Sequence, residues 1–164
     1  MIDNQKTIEK SAKLTGIGLH TGHQVTMVFH PAPANHGVKF KRVDVEGQPV
    51  IDADVFKVTD VSRGTTLEEN GVKVATVEHT LAALTGLGID NVMIELDGPE
   101  VPILDGSSKQ QIIALRTAGL KDLGDKKKIH HLKKRLVYKD ESKGIELIAE
   151  PADVFKVSVM IDYE

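Results

Sequence analysis

Thr76-Val77-Glu78-His79-Thr80-Leu81-Ala82-Ala83-Leu84-Thr85-Gly86 is the stretch from which the fold can be read. A threonine, a Glu-His pair and an apolar run closing on glycine predict a short buried helix. Thr76 is expected at its N-cap, with the hydroxyl accepting from free first-turn amides. Leu81, Leu84 and Leu87 recur at helical spacing, and Gly86 or Gly88 can end the helix in a left-handed turn. The first turn then carries a carboxylate and an imidazole side by side. A neutral histidine is a good zinc ligand, and a neighbouring glutamate can act as base toward a water. The pair by itself reads more readily as an ordinary polar first turn.

Upstream, residues 6–15 alternate polar and apolar, as an edge strand would. Gly16-Ile17-Gly18-Leu19-His20-Thr21-Gly22 is a tight turn. It lacks the Lys-Ser/Thr ending of a phosphate loop and opens no helix. Gln24–Phe29 returns as a strand, Pro31–Gly37 breaks it, and residues 38–43 alternate again. Asn70-Gly71 marks a hairpin turn that delivers the chain to Glu78-His79. Downstream, Asn91–Leu96 reads as a strand and Gly98–Leu104, with two prolines, as extended chain. Asp105-Gly106-Ser107-Ser108 precedes a second helix over 109–118, which Gly119 ends. Residues 124–128 read as a linker, followed by strands at 129–138, 144–149 and 154–163. Three strands without a helix cannot bury a sheet face, so residues 129–164 either pack on the first domain or open a second, incomplete one. The second is expected, after a complete domain over 1–123, because residues 6–43 also begin with strands before two helices arrive.

Composition narrows the chemistry. The 164 residues carry a net charge of −3 and no cysteine, which excludes disulfides, thiolate metal sites and a cysteine nucleophile. No apolar run reaches the length of a membrane span, and the N-terminus has no signal-peptide pattern, so a cytoplasmic location is expected. A local zinc motif is missing: no histidine has His, Asp or Glu four residues on, and His20/His23 sit in a glycine turn. The basic run 126–135 offers either a solvated linker or an RNA contact. The absence of interleaved aromatics favours the former.

Taken together, Gly18–Gly22, Pro31–Asn35, Thr76–His79, Gly86–Asn91 and Pro102–Ser107 resemble the N-terminal half of the UDP-(3-O-acyl)-N-acetylglucosamine deacetylases, the zinc amidases of lipid A synthesis. Val45–Ile51 and Ser62–Thr66 look more like the form fused to a 3-hydroxyacyl-carrier-protein dehydratase. The resemblance implies an α+β fold, a sheet on helices forming one half of a duplicated sandwich, followed by the first strands of a similar domain. It implies Zn2+ as cofactor, His79 as a ligand and Glu78 as general base. His20, Asp105 and Thr65 fall near the site in second-shell or substrate roles. It further implies a UDP-sugar lipid substrate, and remaining zinc ligands supplied by a domain beyond Glu164. The chain alone is then expected to be inactive and, with helix faces uncovered, prone to self-association.

Overall fold

Period-two alternation becomes strand early in the chain in the computed structural model, which describes residues 3–161. β1 (Asn4–Ile8) and β2 (Ala12–Ile17) replace the single edge strand expected over residues 6–15. The break falls at Glu9 and Lys10, whose amides bond to the carbonyls of Gly119 and Ala118. β3 (Gln24–Pro31) buries Val25, Met27 and Phe29 in strict alternation, and β4 (Val38–Arg42) buries Phe40 and Arg42. β5 (Val50–Asp52) follows, then a single 3-10 turn at Val55–Lys57. β6 (Val58–Asp60), β7 (Thr66–Glu69) and β8 (Val72–Val74) make a small separate sheet. The expected hairpin joins β7 to β8: Asn70 and Gly71 both have positive φ, 51° and 79°, as a two-residue turn of matching twist requires. α1 (Glu78–Leu87), β9 (Val92–Leu96), α2 (Lys109–Ala118) and β10 (Leu120–Lys126) complete the first of two compact units, Met1–Lys127.

The main sheet has the order β2-β3-β9-β4-β5, antiparallel throughout except for the parallel β4–β9 pair. Register sets Phe29 and Phe40 on either side of Ile94, and Met27 beside Leu96. All five side chains are fully buried, as is Leu115, with Ala83 and Leu84 of α1 in the same core. Each such large side chain contributes about 1.5–3 kcal/mol on leaving water. α2 packs on β2 and on α1, giving the sheet-on-helices α+β arrangement that the resemblance implies. β1 pairs antiparallel with β10 in a second, two-stranded sheet. The first three residues of the expected linker, Gly124–Lys126, therefore belong to a strand. Lys127 is also no free solvated charge, since its Nζ lies 3.0 Å from Asp90 Oδ1.

The second unit, Lys128–Glu164, contains a hairpin of β11 (Leu136–Asp140) and β12 (Ile145–Ala149). Its turn is drawn in by Asp140, which accepts from the Ser142 amide and hydroxyl. Leu136, Val137, Tyr138, Leu147 and Ile148 are all exposed, as expected of a two-stranded ribbon that lacks a layer to pack on. The third strand expected over 154–163 is not formed at 154–161, where the chain pairs with no described strand. Asp162 and Tyr163 lie outside the described residues. No helix among the described residues is long and apolar enough to cross a membrane.

Two local features carry predictions. Buried Arg42 grips both oxygens of Asp44, through Nε at 2.8 Å and Nη2 at 2.7 Å, and donates from Nη1 to the Lys73 carbonyl. The Arg42 hydrogen bonds hold the Asp44 carboxyl below the usual carboxylate range. A folded pKa below the unfolded value contributes stability that is full above about pH 4 and is lost as pH falls through the folded pKa. Asp44→Asn should cost about 2 kcal/mol at pH 7. In chemical denaturation the gap to the parent should close in acid; a gap of constant size from pH 7 to 3 would refute the assignment. Gly98 and Gly86 provide a contrast. A Cβ on Gly98 would sit 2.5 Å from Val25 Cγ2, whereas one on Gly86 would meet nothing within 4 Å. Gly98→Ala should lose about 1–3 kcal/mol by overpacking, and Gly86→Ala should gain up to about 1 kcal/mol from helix propensity. Thermal midpoints moving in the same direction would contradict this.

Candidate active site

The first turn of α1 brings Glu78 and His79 to one end of the helix. Glu78 Oε1 lies 3.8 Å from His79 Nε2, and both side chains are about one-third exposed. Residues adjacent on a helix diverge by about 100°, so this approach depends on the pair standing at the helix start. The start is not capped as the sequence leads one to expect. Val77 occupies the N-cap without a side-chain bond, and Thr76 adopts a left-handed conformation with φ 60°. Its hydroxyl is drawn away from the helix to donate to Glu100 Oε1 at 2.8 Å. At the other end Gly88 forms the left-handed cap, and Gly86 stays inside the helix.

Thr65 orders the glutamate. Its amide donates to Glu78 Oε2 at 2.9 Å, while its carbonyl accepts from the Val77 amide at 3.2 Å. One carboxylate oxygen is thereby committed to the backbone and the other, Oε1, faces His79. Gly64 precedes Thr65 at the meeting point of the site. The position of a Cβ there is 3.4 Å from Glu78 Oε1, 3.8 Å from Thr76 Oγ1 and 3.9 Å from His20 Nε2. His20, Thr65, Glu78 and His79 are thus gathered in one place, from a glycine turn, a strand entry and a helix start.

Asp105 is exposed, and its Oδ1 accepts from the Ser107 amide at 3.0 Å and the Ser107 hydroxyl at 2.9 Å. Those bonds, the backbone one foremost, hold its carboxyl below the usual range. The link from this turn to the cluster runs through Ser108, whose hydroxyl donates to the His79 carbonyl at 2.9 Å. No group of three or more His, Asp and Glu side chains among the described residues is placed to hold a metal ion, His20 and His23 included. Catalytic zinc generally needs three protein ligands. His79 fits the role of one ligand, and the donor set of the described residues does not fit a complete centre.

Glu100 was not singled out by the sequence pattern. It is fully buried, and both oxygens accept from the His20 amide, at 3.0 and 3.1 Å. Oε2 also takes the Thr21 amide and hydroxyl, each at 2.8 Å. Burial alone would push its carboxyl up, but the His20, Thr21 and Thr76 donors outweigh it and the net shift is downward. The available signal was a glutamate locked between Pro99 and Pro102 in an otherwise apolar stretch, where a charge needs dedicated partners.

Comparison with known proteins identifies the family. Residues 5–164 match the family model described as LpxC, UDP-3-O-acyl N-acetylglycosamine deacetylase. The chain is 46% identical over 160 residues to the bifunctional enzyme LpxC/FabZ of Bacteroides thetaiotaomicron, covering 98% of this chain and 35% of that protein. It is 45% identical to the Chlorobaculum tepidum protein of the same name, over 100% of this chain and 35% of the relative. It is 44% identical to the UDP-3-O-acyl-N-acetylglucosamine deacetylase of Myxococcus xanthus, over 98% of this chain and 51% of the relative. The chain spans between about one-third and one-half of the length of these relatives. An RNA-binding role for the run 126–135 finds no support in any of them. With a matching model over nearly its whole length and relatives well above 40% identity, the chain belongs to the UDP-3-O-acyl-N-acetylglucosamine deacetylase family.

Proposed function

We propose that the chain supplies one half of the active site of a zinc-dependent amide hydrolase that removes the acetyl group from a UDP-(3-O-acyl)-N-acetylglucosamine. The observation that carries this reading is the Glu78–His79 pair, with Oε2 of the glutamate pinned by Thr65 and Oε1 free beside the imidazole. A pinned carboxylate has one orientation and one basic oxygen in play, as a general base needs. Bound zinc would polarise the amide carbonyl and make the attacking water more acidic. Within this chain, Oε1 of Glu78 receives the water's proton and His79 is one of the zinc ligands. His20, across Gly64, faces substrate. Asp105 shapes the turn that seats Ser108 on the His79 carbonyl. The other ligands and the acid for the leaving amine are assigned to the part of the longer relatives that residues 1–164 do not span. The hairpin at 136–149, with its apolar residues uncovered, is the opening of that further domain. A UDP-sugar substrate places the reaction in the cytoplasm.

Glu78→Gln in the full-length protein tests the assignment. Turnover, read as acetate release from the sugar nucleotide, should fall about 10²- to 10⁴-fold, with zinc content and thermal midpoint near the parental values. Parental turnover in this variant would sink the base assignment. Residues 1–164 alone should hold zinc weakly and release no acetate. Tight one-to-one zinc in a monomer of that piece would mean that the ligands are all on this chain.

A further inference from the structure

We propose that Glu100 is the positioning residue of the site, a buried carboxylate that fixes the His20 turn and the start of α1 in one register; the proposal rests on the deacetylase reading above. Glu100 touches neither reacting atoms nor solvent. Its Oε1 bonds to Thr76, two residues before Glu78, and its two oxygens together hold the amides of His20 and Thr21. The chain brings it there by bridging: the Ala75 amide donates to the Pro99 carbonyl and the Val101 amide to the Ala75 carbonyl. Glu100 therefore lies against the residue preceding Thr76.

The turn that it holds has little else to hold it. Leu19 is more than half exposed, and His20, Thr21 and Gly22 are exposed. Besides Glu100, the turn is closed by two backbone bonds, Gly18 to the His23 carbonyl and Gly22 to the Gly18 carbonyl. Gly18 is required by the turn and the carboxylate together, since a Cβ there would crowd the Thr21 hydroxyl and lie 2.5 Å from Glu100 Oε2. On the other side, Thr76 is a β-branched residue at φ 60°, an unfavourable conformation that persists where its surroundings dictate it. The bond to Glu100 is one of those constraints. His20 Nε2, Thr76 Oγ1 and Glu78 Oε1 all lie within 4 Å of the Cβ position of Gly64, so displacement of either strand of this clamp displaces the site.

Neither glutamine nor aspartate reproduces these contacts. Glutamine offers one accepting oxygen, and in either orientation its NH2 meets a backbone N–H that cannot turn away. Aspartate is one methylene too short to reach donors at 2.8–3.1 Å on both sides.

The test uses the full-length protein with zinc bound, comparing Glu100→Gln, Thr76→Val and, as a control remote from the clamp, Leu115→Ala. Glu100→Gln should lower kcat by about 10²-fold, the penalty typical of a misplacement near 1 Å, with KM changed less than about threefold. Leu115→Ala, at an equal or larger drop in thermal midpoint, should keep its kcat, which a merely stabilising role for Glu100 would not distinguish from Glu100→Gln. Thr76→Val keeps the carboxylate and its turn, and should lose about tenfold in kcat through the α1 side alone; it decides the matter if Glu100→Gln does not fold. Parental kcat in the folded Glu100→Gln or in Thr76→Val overturns the proposal. If the parent itself releases no acetate, the deacetylase reading fails, and amide exchange judges Glu100 independently. Selective loss of protection at His20 and Thr21 in Glu100→Gln supports the clamp, and unchanged protection there overturns it.

Discussion

A carboxylate buried without a cationic partner is costly unless donors surround it, and Glu100 imposes that constraint on the first unit of this protein. The donors come from two places far apart in sequence, the 18–22 turn and Thr76. Satisfying the charge therefore forces the β2–β3 connection and the entrance of α1 to the same point. The distribution of polar groups follows from this. Amides and hydroxyls that would otherwise cap a helix or face water are turned inward, and the N-cap of α1 is left to Val77. Stability given up at the cap is exchanged for a fixed approach of His20 to Glu78.

What the sequence disclosed and what it hid divide along the range of the interactions. The α1 pattern, the Asn70-Gly71 hairpin, the Val92–Leu96 strand and the Gly119 stop are local, and each formed where its residues point. The pair Glu78-His79 was visible at the helix start, but alone it reads as an ordinary polar first turn, and only the family resemblance gave it a role. Pairings across the chain were not. β1 joins β10, with Asn4 bonded to Asp122 118 residues later, and nothing in a single sequence encodes that register. The same distance explains why residues 124–126 look like linker when read in isolation: their polar side chains are those of an edge strand, which can face solvent. Thr76 misleads for a related reason. Its propensity as a cap is real, but a buried carboxylate binds its hydroxyl more strongly than a first-turn amide does.

The resemblance to a deacetylase family carried the fold class, and the comparisons bear it out. It says less about how burial divides between the two units. The first unit has a closed core of fully buried side chains, while the hairpin of the second leaves its apolar residues in water. One unit meets the requirement for burial by itself and the other does not. The donor groups are sparse in the same way: no cluster of three or more His, Asp and Glu side chains is placed to hold a metal ion among the described residues.

The two oxygens of Glu78 show how the two carboxylates differ in task. Glu100 spends both oxygens on four donor groups and is held low in pKa by them, so it has no lone pair left to accept a proton. Glu78 spends one, on the Thr65 amide, and remains partly exposed. A carboxylate saturated by donors is a fixed anchor, whereas one restrained at a single oxygen is oriented and still able to act as a base. In the proposed function the same side chain thus serves as anchor at one position and as reagent at the other. The difference lies in the backbone around each: a turn and an extended segment close over Glu100, while Gly64, with no side chain, leaves the space beside Glu78 open.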